Sequence, residues 1–208
     1  GKVQVKRFFY YVKLHLGVKR GLIMYIDRDG LIALHHISGV GWHTVQKLIE
    51  AGWSCETGLP KDILGRIKGQ KIPANTLKNI QERWDHPYVI RVKEELKEKK
   101  IGILTVLDED YPALLREIAQ PPWVIYYKGD KSLLQEPSLA MVGTRRPTPY
   151  GIKVAQQFAE QLARMGCVIV SGMASGIDGV AHRSVLKAQG KTVAVLGCGV
   201  DVIYPKNH

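Results

Sequence analysis

Ser138-Leu-Ala-Met-Val-Gly143, Cys167-Val-Ile-Val-Ser-Gly172 and Lys191-Thr-Val-Ala-Val-Leu-Gly197 are three short apolar runs, each ending in glycine. Ile152 to Met165 separates the first two and carries Val154, Ala155, Phe158, Ala159 and Leu162 at helical spacing. Ile177 to Gln189 separates the second and third and reads as another helix. Runs this short and continuously apolar, alternating with helices, predict parallel strands joined by right-handed crossovers. The fold class that follows is α/β.

In such a sheet every strand empties into a loop that leads towards a helix N-terminus. The loops Gly143 to Gly151, Gly172 to Gly176 and Gly197 to Asp201 should therefore converge beyond the strand C-termini. Glycine lets backbone N–H groups turn outwards, and a helix start adds partial positive charge, so the rim is suited to an anion. Thr144, Arg145, Arg146, Thr148 and Ser171 add side-chain donors there, which fit phosphate oxygens better than an apolar ligand.

The chain has 208 residues, enough for one sizeable core and a small second domain. Its three cysteines, Cys55, Cys167 and Cys198, are widely spaced with no CxxC, and read as reduced thiols. No apolar run reaches the length needed to cross a bilayer, and the first residues lack a signal-peptide pattern, so a soluble, cytoplasmic protein is expected. The net charge of +11 is unevenly placed: residues 1–23 contribute +6, residues 24–137 nothing, and residues 138–208 +5. The glycine-loop region thus carries its own basic excess, in keeping with a polyanionic partner, although a solvated basic face has the same composition.

Residues 1–23 mix lysines with clustered aromatics and show no clean period. They read as a basic tail outside the domains, with a natural start at Met24 as one source; the functional alternative is an arm that touches nucleic acid or a membrane surface. Residues 24–100 read as a small helical domain. Helices are expected over Gly30 to Ile37, Trp42 to Ala51, Pro60 to Lys68, Pro73 to Trp84 and Pro87 to Lys100. Ile37-Ser-Gly-Val-Gly-Trp-His-Thr-Val45 is similar to a helix-hairpin-helix turn, though a tight turn between packed helices needs the same glycines. His35, His36 and His43 lack a matching Cys or carboxylate set, and no metal is expected. A strand over Ile101 to Leu107, a short helix after Pro112 and a strand over Pro122 to Gly129 lead into the three runs, so residues 101–208 read as the second domain.

Five linked segments now carry a resemblance: Asp110-Tyr-Pro-Ala-Leu-Leu115, Pro121-Pro-Trp-Val-Ile-Tyr-Tyr-Lys-Gly129, Val142-Gly-Thr-Arg-Arg-Pro-Thr-Pro-Tyr-Gly151, Ser171-Gly-Met-Ala-Ser-Gly-Ile-Asp-Gly-Val-Ala-His182 and Ala194-Val-Leu-Gly-Cys-Gly-Val-Asp-Val-Ile-Tyr-Pro205. Together they resemble the DNA-processing protein A family (DprA, also called Smf), in order, over about residues 30–208. The resemblance implies a helical N-terminal domain, SAM-like or helix-hairpin-helix-like, and then an extended Rossmann-like domain. It further implies a cytoplasmic protein that binds and protects single-stranded DNA, helps load the RecA recombinase during natural transformation, and pairs as a homodimer at full length. Neither catalysis nor a cofactor is implied. By motif position Arg145 corresponds to the DNA-contacting arginine, with Gly143 and Thr144 beside it, and Gly172 and Gly176 shape the phosphate pocket.

Two departures stand out. Ser175 occupies a position where many members of the family have a basic residue, which removes one expected phosphate contact. The family's sheet continues past Tyr-Pro-x-x-Asn whereas this sequence stops at His208, so a fragment or truncated chain with a partial sheet is expected. Tyr150, Tyr204 and Trp123 are candidate stacking surfaces, each equally readable as a core or hinge aromatic. The rival reading is a nucleotide-binding or nucleotide-hydrolysing Rossmann-like protein, with Asp178 and His182 as an acid/base pair. Against it, Asp178 suits a helix start and His182 should stack one turn later against it, and no GxGxxG is present.

Overall fold

The computed structural model describes residues 27–53, 65, 67, 71–84 and 86–204. The basic tail and nearly all of the helix expected over Pro60 to Lys68 lie outside the described residues. Two compact units are present. One holds the described residues up to Val92 with Thr105–Tyr111 and Glu117–Val124; the other holds Lys93–Leu104, Pro112–Arg116 and the described residues from Ile125 onwards.

The first unit is helical. α1 (Arg28–His35) starts where the Asp27 carboxylate accepts from the Gly30 N–H, and it buries Leu31, Ile32 and Leu34 completely. After the Ser38–Gly41 turn, α2 (Trp42–Glu50) turns Val45, Leu48 and Ile49 inwards, and α3 (Ala74–Arg83) adds Ile80. Gly39 has φ +86° and lies so close to Thr76 that an added β-carbon would come within 2.8 Å of its hydroxyl. The turn is therefore fastened to α3, with Asn79 Nδ2 donating to the Ser38 carbonyl at 3.0 Å.

Trp123 also belongs to this core. It is 3 % exposed, stacks on Trp42 at 5.6 Å, and donates its indole N–H to the Trp42 carbonyl at 3.1 Å. Trp42 returns the contact by donating to the Pro121 carbonyl at 2.8 Å. The stacking role considered for Trp123 is thus corrected: the indole face that would meet a base already meets another indole. Arg28 Nε reaches the Asp108 carboxylate at 2.9 Å, while the same carboxylate accepts from Thr105 N–H at 2.7 Å.

α4 (His86–Glu98) is followed by β1 (Gly102–Thr105), the one-turn α5 (Ala113–Arg116) and β2 (Val124–Tyr127), as the sequence led one to expect. β1 and β2 form a two-stranded sheet. A 3-10 turn over Lys131–Gln135 then leads to β3 (Ser138–Ala140), α6 (Pro149–Arg164), β4 (Val168–Ser171), α7 (Ile177–Lys187) and β5 (Thr192–Ala194).

The expected parallel sheet is present, in the order β3-β4-β5, with Ser138 opposite Val168 and Ile169 opposite Thr192. α6 and α7 pack on each other and both pack on β4, so they share one face of the sheet. Their seam is built from small residues: Ala159, Ala163 and Ala181 close on Ile169 and Val185. Such short side chains bring the helix backbones near each other, and a β-carbon at Gly190 would come within 2.6 Å of that of Ala163.

α6 begins three residues before the expected Ile152. Thr148 Oγ1 accepts from Gly151 N–H at 3.1 Å, and Pro149, which has no N–H to leave unpaired, occupies the first helical position. Leucine at Ala159 would overfill the alanine seam. Ala159→Leu is expected to lower stability by about 1–3 kcal/mol, measured as a fall in the urea unfolding midpoint.

Candidate nucleic-acid interface

The first loop leaves β3 with one more rung of the ladder, Met141 N–H to the Val170 carbonyl at 2.9 Å, and then runs exposed from Val142 to Arg146. It does not wander. Ile177 N–H, the first of α7, donates to the Thr144 carbonyl at 3.2 Å. A β-carbon on Gly176 would collide with that same carbonyl oxygen and with the Arg145 backbone, and one on Gly143 would meet the Ile177 side chain at 2.7 Å. Gly176 has φ +91° as well, so both its backbone conformation and its surroundings require glycine.

The structure therefore brings Gly143, Thr144 and Arg145 against Gly176 and the start of α7. Arg145 and Arg146 are exposed, and no ion pair to either is found among the described residues. Thr144 Oγ1 accepts from Arg146 N–H at 3.2 Å, which holds the two arginines in one turn. Ser175, exposed just ahead of α7, adds no charge to this rim.

Ser171 is placed differently from the sequence reading. It is 3 % exposed and its hydroxyl donates to the Met141 carbonyl at 2.6 Å, so it ties β3 to β4 and offers no donor to the rim. Alternation along β4 points it inwards, as a strand-end polar residue with a backbone carbonyl in reach is free to do. Gly172 continues the strand into the second loop. There the Asp178 carboxylate lies over it, and a β-carbon on Gly172 would come within 2.7 Å of Oδ2.

His182 turns both ring nitrogens to partners other than Asp178. Its Nε2 meets the Gly172 carbonyl at 2.6 Å and its Nδ1 meets Thr192 Oγ1 at 2.7 Å, while Thr192 also donates to the Ile169 carbonyl at 2.8 Å. Both ring nitrogens are engaged in joining α7, the second loop and β5. That leaves none to move a proton for a bound substrate, which removes the base from the Asp178/His182 pair. Among the described residues no group of three or more His, Cys, Asp or Glu is placed to hold a metal ion.

The third loop leaves the sheet at the same end, where Val195 N–H donates to the Ser171 carbonyl at 2.8 Å. Its far side is held by Asp201, whose carboxylate takes a bond from Lys99 at 3.2 Å while Lys99 also bonds Glu95 at 2.8 Å. The hydrogen bond to Lys99 holds the Asp201 carboxyl below the usual carboxylate range, and the hydrogen bond to Glu95, with that to Asp201, raises the Lys99 ammonium. A depressed acid keeps its contribution above the unfolded value and loses it as pH falls through the folded one; a raised base loses its contribution only as pH climbs through its folded value. The strut is thus fully charged around neutrality. Sequence reasoning missed it because 102 positions separate the partners and no local pattern marks either. Of the aromatic candidates on this unit, Tyr150 is 77 % and Tyr204 46 % exposed, and Tyr150 opens α6 directly after the arginine loop.

A parallel sheet whose first two glycine loops lock together beside two exposed arginines defines an α/β protein with a basic rim. Residues 102–208 match the family described as DNA recombination-mediator protein A, and this chain belongs to that family. It is 38 % identical over 151 residues to the DNA processing protein DprA of Bacillus subtilis (strain 168), covering 72 % of this chain and 50 % of that protein. Over 119 residues it is 47 % identical to Protein Smf of Synechocystis sp., covering 55 % and 30 % respectively. The solved structure of DNA processing protein A from Streptococcus pneumoniae is similar at a TM-score of 0.51 and 29 % identity, over 81 % of this chain and 62 % of that one. The chain spans about half the length of the Bacillus relative. No helix among the described residues is long and apolar enough to cross a membrane.

Two substitutions separate strain from contact. Gly129, at φ +102°, has nothing within 4 Å of an added β-carbon, whereas Gly176 adds a collision with the first loop. Gly129→Ala should cost about 1 kcal/mol and Gly176→Ala about 2–3 kcal/mol or more. Urea unfolding of the two variants checks the order.

Proposed function

We propose that this chain is the single-stranded DNA-binding part of a recombination mediator: a cytoplasmic binding protein, not an enzyme, that protects incoming DNA and helps load RecA in natural transformation. The observation that carries this reading is the contact of the Thr144–Arg145 backbone with Gly176 and Ile177. It sets two exposed arginines beside the start of a helix, which together favour phosphate oxygens. Membership of the recombination-mediator family supports the choice of DNA as the phosphate carrier. In this reading Gly143, Thr144, Arg145 and Arg146 grip the sugar-phosphate chain, Gly172 and Gly176 keep the backbone low enough for it to approach, and Ser171 shapes the rim from within the sheet. Homodimerisation and contact with RecA belong to the same proposal for the full-length protein.

Phosphate contacts hold a strand without reading it, and Tyr150 offers a face on which any base can stack. Arg145→Ala should weaken binding of a fluorescent oligothymidylate about fivefold or more near 0.1 M salt, and flatten the salt dependence by about 0.7 of a unit for the one lost phosphate contact. Tyr150→Ala should weaken binding by about 1 kcal/mol with the salt slope unchanged, because stacking releases no counterion. Anisotropy titrations at several salt concentrations read both. An unaltered curve for Arg145→Ala removes the arginine from the interface, and a strong preference for duplex over single strands overturns the reading.

A further inference from the structure

Three helical cations of this chain are neutralised by an acid four residues away: Lys78 by Glu82 at 3.6 Å, Lys99 by Glu95 at 2.8 Å and Arg164 by Glu160 at 3.7 Å. Lys153 has no such partner. It is exposed near the start of α6, and no ion pair or hydrogen bond reaches its ammonium among the described residues. Gln156 and Gln157 occupy the positions three and four residues on, where a carboxylate would pair with it, and Pro149 and Tyr150 those four and three residues before. From Ser138 to Ala159 the sequence has no Asp or Glu, so Arg145, Arg146 and Lys153 share an acid-free stretch that starts in the first loop and continues into the helix.

The other two loops bring acids. In the second the Asp178 carboxylate packs on Gly172, and in the third the Asp201 side chain is 39 % exposed even with Lys99 bonded to it. Lys128 also attracts that carboxylate. A polyanion held at the arginine loop therefore meets carboxylates if it crosses the sheet towards β5, and only cations and amides if it follows the start of α6. The helix offers a surface for a base on that side as well, since Tyr150 is 77 % exposed and lies one turn before Lys153. At about 1.5 Å per residue Lys153 stands about 4.5 Å along the helix from Tyr150 and Gln157 about 6 Å further, so neighbouring nucleotides of one strand reach all three.

We infer that the bound single strand leaves the arginine loop along the first two turns of α6, where Tyr150 stacks a base and Lys153 takes the next phosphate, an inference that rests on the proposed binding of single-stranded DNA. Lys153 is then a phosphate contact in its own right, additional to the two arginines and indifferent to sequence. Gln157 marks the next step of the path, with an amide N–H that any phosphate oxygen accepts. The third loop, with Asp201 and Lys128, lies off the path.

The test follows a fluorescent oligothymidylate by anisotropy at several salt concentrations with the parent chain, Lys153→Ala, Lys128→Ala and Gln157→Lys. All three positions are exposed, so the fold is not at stake. Lys153→Ala should weaken binding about threefold or more near 0.1 M salt and flatten the salt dependence by about 0.7 of a unit. Gln157→Lys should tighten binding about threefold and steepen the slope by a similar amount. Lys128→Ala, which removes an equal charge beside the third loop, should leave the slope unchanged. An unaltered slope for Lys153→Ala overturns the inference. So does a loss in Lys128→Ala equal to that in Lys153→Ala, which marks a general attraction of charge and no path. Weakening by Arg145→Ala without any by Lys153→Ala leaves the proposed function standing and removes only the route along α6. Failure of the strand to bind the parent removes both.

Discussion

The second unit depends on one backbone-to-backbone approach, in which Thr144 and Arg145 lie against Gly176 and the first N–H of α7. Neither loop has much side-chain packing of its own to define it. Their position comes from the strands that launch them and from the absence of a β-carbon where they touch. The alanine seam between α6 and α7 serves the same end, since it fixes the depth at which α7 starts relative to β4. Depth and contact together determine where the guanidinium groups emerge.

Polar groups in this region fall into two kinds. Ser171, Thr192 and His182 are turned inwards and joined to backbone carbonyls, so they stitch β3, β4, β5 and the second loop into one piece. Arg145, Arg146 and Tyr150 are turned outwards with no such commitment to the fold. Lys99 and Asp201 secure the third loop from α4, and their charges keep that support through the neutral range.

Much of this was legible in the sequence because a parallel strand is announced by local composition. Val168 to Ser171 and Thr192 to Ala194 fall inside the apolar runs read from the residues, and the first two loops meet as strand direction requires. What was not legible depended on direction or on distance along the chain. Ser171 looks like a loop donor by type, but strand alternation turns it inwards. Trp123 looks like a stacking surface until Trp42, far away in sequence, is seen to occupy its face. Thr148-Pro149 was a readable cap and start, hidden by the turn-like density of prolines around it.

The paired indoles of the first unit also have an optical consequence. Two tryptophan rings held 5.6 Å apart and 26° from parallel couple their electronic transitions, and each ring's N–H is bonded to a backbone carbonyl on the other's side, Trp42 to that of Pro121 and Trp123 to that of Trp42. Near-ultraviolet circular dichroism of this chain should therefore carry an exciton contribution that vanishes when the Pro121–Trp123 segment lifts from α2. The helical unit contains its own spectroscopic gauge of that docking, without an added label.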